Sequence, residues 1–93
     1  MMLKFQWDEK KAKINLQKHS VSFEEAKTVL NDELSVTYSD YTHSVDEERF
    51  IDIGMSEKGR LLVVVYTERE GSIRIISARE ATKYERRYYE EGR

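Results

Sequence analysis

Ninety-three residues suffice for one hydrophobic core and not for two, so the reading is a single domain over residues 1–93. With 39% apolar and 37% charged residues the chain is globular but polar, and its net charge of −2 is not that of a simple nucleic-acid binder. The lack of cysteine excludes disulfides and thiolate metal sites, His19 and His43 lack zinc-ligand spacing, and no apolar run reaches the ~18 residues of a membrane span, so a soluble, cytoplasmic protein is expected.

Leu3 to Trp7 alternates apolar and polar side chains, the period of a half-buried strand. Asp8 is an N-cap for a helix from Glu9 to Lys18, with Ala12, Leu16 and His19 as a modest apolar stripe. Lys11, Asn15 and Lys18 form a neighbouring polar stripe that suits a phosphate backbone, although solvated helix faces show the same pattern more often. Ser22 to Glu25 reads as a capping box opening a second helix that runs to about Asn31 and buries Phe23, Ala26, Val29 and Leu30. The short link between the two helices predicts a helical hairpin.

Strands are expected at Leu34–Tyr38, Arg49–Gly54, Arg60–Thr67 and Ser72–Ser77, with turns at Ser56–Gly59 and Glu68–Gly71 and a long polar loop from Ser39 to Glu47. The unbroken run Leu61–Val65 predicts a central strand covered on both faces. A last helix ends at Glu91; of two competing caps, Thr82 with Glu85 is preferred over Ser77 with Glu80, and Tyr84 and Tyr88 are assigned to packing it on the sheet. The class is α+β: an N-terminal strand, a two-helix hairpin, a four-stranded antiparallel meander and a C-terminal helix.

Charge is unevenly distributed. Residues 28–57 hold eight acids against one base, Arg49, whereas residues 1–27 and 74–93 each hold six bases against four acids. A basic surface built from the two ends is therefore compatible with an acidic chain. No phosphate loop, nucleophile elbow or HExxH motif occurs. Phosphodiester cleavage without a metal needs a base, an acid and cations to hold the phosphorane. The candidates are Arg49, Arg60, Arg74 and Arg79 on or beside strands, Glu48 and Glu68 at strand ends, and His19 at a helix end. Arg74 and Arg79 are an odd number of residues apart, so a regular strand points them to opposite faces, and they act together only if the strand ends or bends between them. Trp7 can stack a base, but a tryptophan at a strand end more often anchors the core edge.

Three stretches carry a family resemblance. Phe5-x-Trp7-Asp8-x-x-Lys11-x-x-x-Asn15-x-x-Lys18-His19-x-Val21-x-Phe23-Glu24 resembles the opening of the BrnT toxins of bacterial type II toxin–antitoxin systems. Glu48-Arg49-Phe50 with Ile53-Gly54, and Arg60 to Thr67, resemble the family's middle blocks, and Arg74-Ile75-Ile76-Ser77-Ala78-Arg79-x-Ala81-Thr82-x-x-Glu85-Arg86 its last. The resemblance spans residues 5–89 and implies a RelE-like fold, cleavage of RNA and growth arrest. It also implies a hetero-oligomer with a BrnA-type antitoxin, whose ribbon-helix-helix region would contact DNA and repress the shared operon. Carried onto this chain, it makes Arg49, Arg60, Arg74 and Arg79 the candidates for phosphate and transition-state charge, with Glu48 or Glu68 as base. Trp7, Lys11, Asn15, Lys18 and His19 are the candidate RNA contacts, and no cofactor or metal is implied. The alternative is a non-enzymatic module whose arginines hold an acidic antitoxin segment.

Overall fold

The computed structural model describes residues 4–41 and 47–92; His43 and the middle of the expected 39–47 loop lie outside the described residues. β1 is Lys4–Gln6. Asp8 then accepts from the amides of Lys10 and Lys11 at 2.8 and 3.2 Å, which starts α1 (Glu9–His19), and Ser20, left-handed at φ 59°, stops it. Ser22 accepts from the Glu25 amide at 3.0 Å and starts α2 (Phe23–Thr28), which tightens into a 3₁₀ turn over Val29–Asn31. Then follow β2 (Val36–Ser39), β3 (Arg49–Met55), β4 (Leu61–Arg69), β5 (Ser72–Glu80) and α3 (Lys83–Glu91).

The five strands form one mixed sheet in the order β1-β5-β4-β3-β2. β2 to β5 pair antiparallel with their sequence neighbours, while β1 returns parallel to β5 at the far edge. The β4–β5 hairpin closes on Glu70 and Gly71, both with positive φ (48° and 83°), the backbone of a two-residue turn whose twist matches the strands. One sheet face carries Leu62, Val64, Tyr66, Ile73, Ile75 and Ala78, sealed under Val21, Phe23, Ala26 and Val29 from the helical hairpin. The other carries Ile53, Leu61 and Val63 beneath Tyr89 of α3. The Leu61–Val65 run is thus covered from both sides, as its composition requires.

Three expectations are corrected by the packing. Leu16 is not in the apolar stripe of α1, being 51% exposed, while Asn15 is 6% exposed. The reason lies on β5: β1 leaves it after Arg74, and further along the outward backbone of Ala78 must find partners. Asn15 supplies them like a short piece of strand. Its Oδ1 accepts from the Ala78 amide at 3.1 Å and its Nδ2 donates to the Ala78 carbonyl at 2.8 Å and the Val21 carbonyl at 2.9 Å. Second, the capping box at Ser22 is only half made, because the Glu25 carboxylate turns to Ser56 and Arg60 instead of the cap. Third, Tyr84 is 79% exposed and does not pack α3, and Tyr88, 44% exposed, meets Tyr38 edge-on; the buried anchor of the helix is Tyr89. Its hydroxyl donates to Asp32 Oδ2 at 2.7 Å, and the same oxygen accepts from the Met55 amide at 2.8 Å. Gly54 permits that approach, since a Cβ there would lie 2.9 Å from Val29 Cγ1 and Ser35 Cβ.

Replacing Asn15 by leucine keeps side-chain volume but strands the buried backbone groups of Ala78 and Val21. The expected loss is about 2–4 kcal/mol of unfolding free energy by urea denaturation. A loss below about 1 kcal/mol would mean that the edge of β5 finds its partners without this side chain.

Candidate active site on the sheet face beside α3

The strand that carries Arg74 and Arg79 neither ends nor turns between them; it bulges. Val65 faces Ser77 and Tyr66 faces Ile75, so Ile76 is an extra residue in β5. The insertion resets the alternation. Ile73, Ile75 and Ala78 all enter the helix-side core, and Arg74 and Arg79, opposite Thr67 and Val63, share the other face. The geometric condition attached to these two arginines is met, with a limit. They are four β4 residues apart in register, roughly 13 Å along the strand. They lie on one face but not at one point.

What does converge with Arg74 is a row across the sheet. Gln6 of β1, Arg74 of β5, Thr67 of β4 and Arg49 of β3 are successive cross-strand partners, each about 5 Å from the next at Cα. One row towards the hairpin, Lys4, Ser72 and Arg69 are likewise aligned. Four cations from four strands therefore project from the half of this face that α3 leaves open. Arg74 makes no hydrogen bond or ion pair among the described residues. Thr67, between the two arginines, is 3% exposed, and its buried hydroxyl has no partner there either. A buried hydroxyl without a partner is uncommon and costs stability. The Thr67 hydroxyl lies beneath the surface of the row, between the strands that carry the two arginines.

Glu47 shows that the field is felt. Arg69 grips its carboxylate at 2.6 and 2.9 Å, and its pKa is held down first by that hydrogen bond and further by the charges of Arg74 and Arg49. This carboxylate was not among the sequence candidates; Glu48 was, and it instead accepts from Ser39 Oγ at 2.7 Å. Glu68 alternates with Thr67 and points to the helix side of the sheet, away from the arginine row.

Arg60 and Arg79 have partners outside the row. Arg60 sits at the opposite end of β4, bonded to Glu25 through Nε and Nη2, to Glu80 at 3.2 Å and to the Ser20 carbonyl at 2.9 Å. It ties the β3–β4 turn to α2, and its hydrogen bond is the main reason the buried Glu25 carboxyl has a lowered pKa. Arg79 is held bidentate by Glu85 at 2.8 and 2.7 Å, in a pair that also completes the Thr82 capping box. Beside that pair stands Tyr38, its ring edge-on to Tyr88 with centroids 6.1 Å apart, and its hydroxyl pKa is raised chiefly by burial. Trp7 packs edge-on against Phe23 at 5.9 Å on the helix side, so it anchors the core and is remote from the row. Asn15 is consumed by backbone. Lys11, Lys18 and His19 do line an open surface, a cleft between α1 and β5. No group of three or more potential metal ligands occurs among the described residues, and no helix is long and apolar enough to cross a membrane.

Fold and site together define a small α+β protein with a cation-bearing sheet face, half open and half covered by a C-terminal helix. The chain belongs to the BrnT family: the model described as "Ribonuclease toxin, BrnT, of type II toxin-antitoxin system" matches residues 7–85. Among solved structures it is similar to the Brucella abortus ribonuclease toxin BrnT, with 22% identity, a TM-score of 0.69, and coverage of 88% of this chain and 100% of that one. That likeness establishes the shared fold. No curated protein matches.

The Arg79–Glu85 pair has a pH signature. Arg79 chiefly, then the Thr82 amide and hydroxyl, pull Glu85 from an ordinary 4.5 to about 2. A pKa lower in the folded state means that the pair stabilises above 4.5 and loses that contribution as pH falls towards 2. Glu85→Gln is expected to be less stable than wild type at pH 7, with the gap closing across that acid range in urea midpoints. A gap unchanged down to pH 2 would assign the effect to the cap rather than to the charge.

Proposed function

We propose that this chain is a metal-independent endoribonuclease on a RelE-like scaffold, the growth-arresting toxin of its pair, neutralised by a BrnA-type antitoxin bearing a ribbon-helix-helix region. The observation that carries the reading is the Gln6–Arg74–Thr67–Arg49 row: two arginines flanking an unpartnered buried hydroxyl on an open face. When a ribose 2′ oxygen attacks phosphorus, a bond to the 5′ oxygen breaks and negative charge grows on the non-bridging oxygens. Guanidinium groups fixed on the two strands that flank β4 meet that charge without reorganising, which is how a preorganised site lowers a barrier. Arg49 and Arg74 take this role, Thr67 donates to one oxygen, and Gln6 extends the row. Arg79 serves a neighbouring phosphate once Glu85 yields it, whereas Arg60 stays structural.

A second reading also has an observation behind it. The grip of Arg69 on Glu47 shows that this field holds a carboxylate. The same arginines then hold an acidic antitoxin segment, and neutralisation is occupation of the site.

Arg49→Ala and Arg74→Ala should each cut RNA cleavage in EDTA by about 10²–10³-fold, with growth arrest on induction lost in parallel. Thr67→Val should cut it about tenfold while leaving the protein as stable or more so, because the orphaned hydroxyl disappears. Arg60→Ala should lower stability instead. Cleavage that vanishes in EDTA, or that survives Arg74→Ala intact, rules out this mechanism, and antitoxin binding lost with Arg74 while RNA is never cut favours the second reading.

A further inference from the structure

The cleft between α1 and β5 has about 200 Å³ of space and is lined by Lys11, Ile14, Lys18 and His19 on one wall and Ile76 and Ser77 on the other, over Asn15. Its origin lies in how β5 is finished. β1 pairs with β5 only as far as Arg74, and Asn15 takes up the strand again at Ala78. Between these points the bulge residue Ile76 and its neighbour Ser77 lie on the outer edge without a strand partner. Lys11, Ile14 and Lys18 follow i, i+3 and i+7, so one face of α1 runs along that bare edge, with the two ammonium stems about 10 Å apart along the axis. No acidic side chain lines the cleft. In a chain with 18 carboxylates against 16 lysines and arginines, that exclusion is informative.

The cleft is also joined to the arginine face. Ser77 lines it and, opposite Val65, occupies the row between those of Arg74 and Arg79, about 7 Å along the strand from each. A strand of RNA leaving the Arg49–Arg74 row therefore has a path over the bulge at Ser77 and into the cleft between α1 and β5. Ile14, 59% exposed, offers apolar surface at the rim.

We propose that this cleft is a second RNA subsite, which binds the phosphodiester of a nucleotide flanking the scissile one through Lys11 and Lys18, with Ser77 as the crossing point and the sugar and base against Ile14 and Ile76. It rests on the ribonuclease reading for its orientation. Asn15 acts as a positioning residue, locking α1 at the height where its lysines face the bulge. The site gives the enzyme affinity for a strand longer than the scissile dinucleotide.

The test measures binding and cleavage separately. Fluorescence anisotropy with a labelled, non-cleavable 2′-O-methyl RNA ten-mer gives the salt dependence of affinity for wild type, Lys11→Ala/Lys18→Ala, Lys11→Arg/Lys18→Arg, and a charge-matched control, Lys27→Ala/Lys58→Ala. Each single-strand phosphate contact contributes about 0.7 to the slope of log affinity against log salt, so the cleft double variant should lose about 1.4. Between 50 and 200 mM salt that corresponds to about a sevenfold difference in how far affinity falls. The arginine pair should retain the slope, and the control should leave it unchanged. On cleavable RNA the alanine pair should raise KM for a ten-mer with kcat unchanged and leave a dinucleotide substrate unaffected. An unchanged slope, an equal loss in the Lys27/Lys58 control, or an equal loss on the dinucleotide overturns the subsite even if cleavage is normal. A slope that shrinks as stated while no variant, wild type included, cleaves RNA upholds the subsite and overturns the nuclease. Polyglutamate that binds with the same lysine dependence, while RNA binds without it, reassigns the cleft to an acidic protein segment.

Discussion

The bulge in β5 is the constraint on which the rest depends. Continued without it, strict alternation from Ile73 and Ile75 would drive Ser77 and Arg79 into the core under Phe23 and put Ala78 on the outer face. A guanidinium buried among Leu62, Val64 and Ile75 would cost several kcal/mol unless paired, and nothing apolar there would pair it. One extra residue at Ile76 removes the conflict: Ala78, fully buried, fills the small space the helices leave, and Arg79 emerges beside α3. The bulge also breaks the outer edge of the strand, which β1 no longer covers. Asn15 closes that gap with side-chain amide groups in place of a peptide, and this fixes how α1 lies. Fold, helix placement and the distribution of cations on two surfaces thus follow from one inserted residue.

The arginines divide by what is aimed at them. Glu25, with a side chain 1% exposed, needs Arg60 as much as Arg60 needs it, because an unpaired buried carboxylate would be far costlier than the pair. Glu85 holds Arg79 at the edge of α3, 19% and 41% exposed, where solvent screens the pair and its value is modest. Arg74 has neither arrangement. Among the described residues Arg74 has no hydrogen-bonded carboxylate, only the more distant charge of Glu47, and it stands beside a buried hydroxyl without a partner, which is a local departure from self-consistency. Such departures concentrate at functional sites because the missing partner arrives with a ligand.

Much of this was legible beforehand. The alternation before Asp8, the helical hairpin, the Thr82 capping box and the run from Leu61 each state their local physics in neighbouring residues. The row was not legible from the expected turns: a turn over Glu68–Gly71 sets Thr67 opposite Ser72, and only the tighter two-residue turn at Glu70–Gly71 sets it opposite Arg74. Attention to charged residues alone missed the threonine between Arg49 and Arg74. Arg60 and Asn15 were misjudged for a different reason. Their roles depend on partners 35 and 63 residues away, and nothing local distinguishes a guanidinium that will meet a buried carboxylate from one that will meet solvent. Glu47 was obscured by Glu48, its equal in type and one position along, because only the path of the chain into β3 decides which of them reaches Arg69.

The acidity of the chain is no obstacle to an anionic substrate once charge is resolved by face. Carboxylates such as Glu25, Glu85 and Asp32 are spent inward, on arginines, hydroxyls and amides that hold the sheet to its helices, and Asp52 accepts from Thr37 between β2 and β3. Lys4, Arg49, Arg69 and Arg74 are projected together by strands that cannot turn them away. Net charge sums these populations as though each reached solvent equally, whereas the open half of the sheet presents mainly the second. Glu47 is one carboxylate held in this field, gripped by Arg69 at the surface, where ion pairs exchange cheaply. α3 then sets the size of the opening. Because Tyr89 and Glu85 anchor it over Ile53, Leu61 and Val63, the uncovered part of the sheet is the part that carries the arginine row.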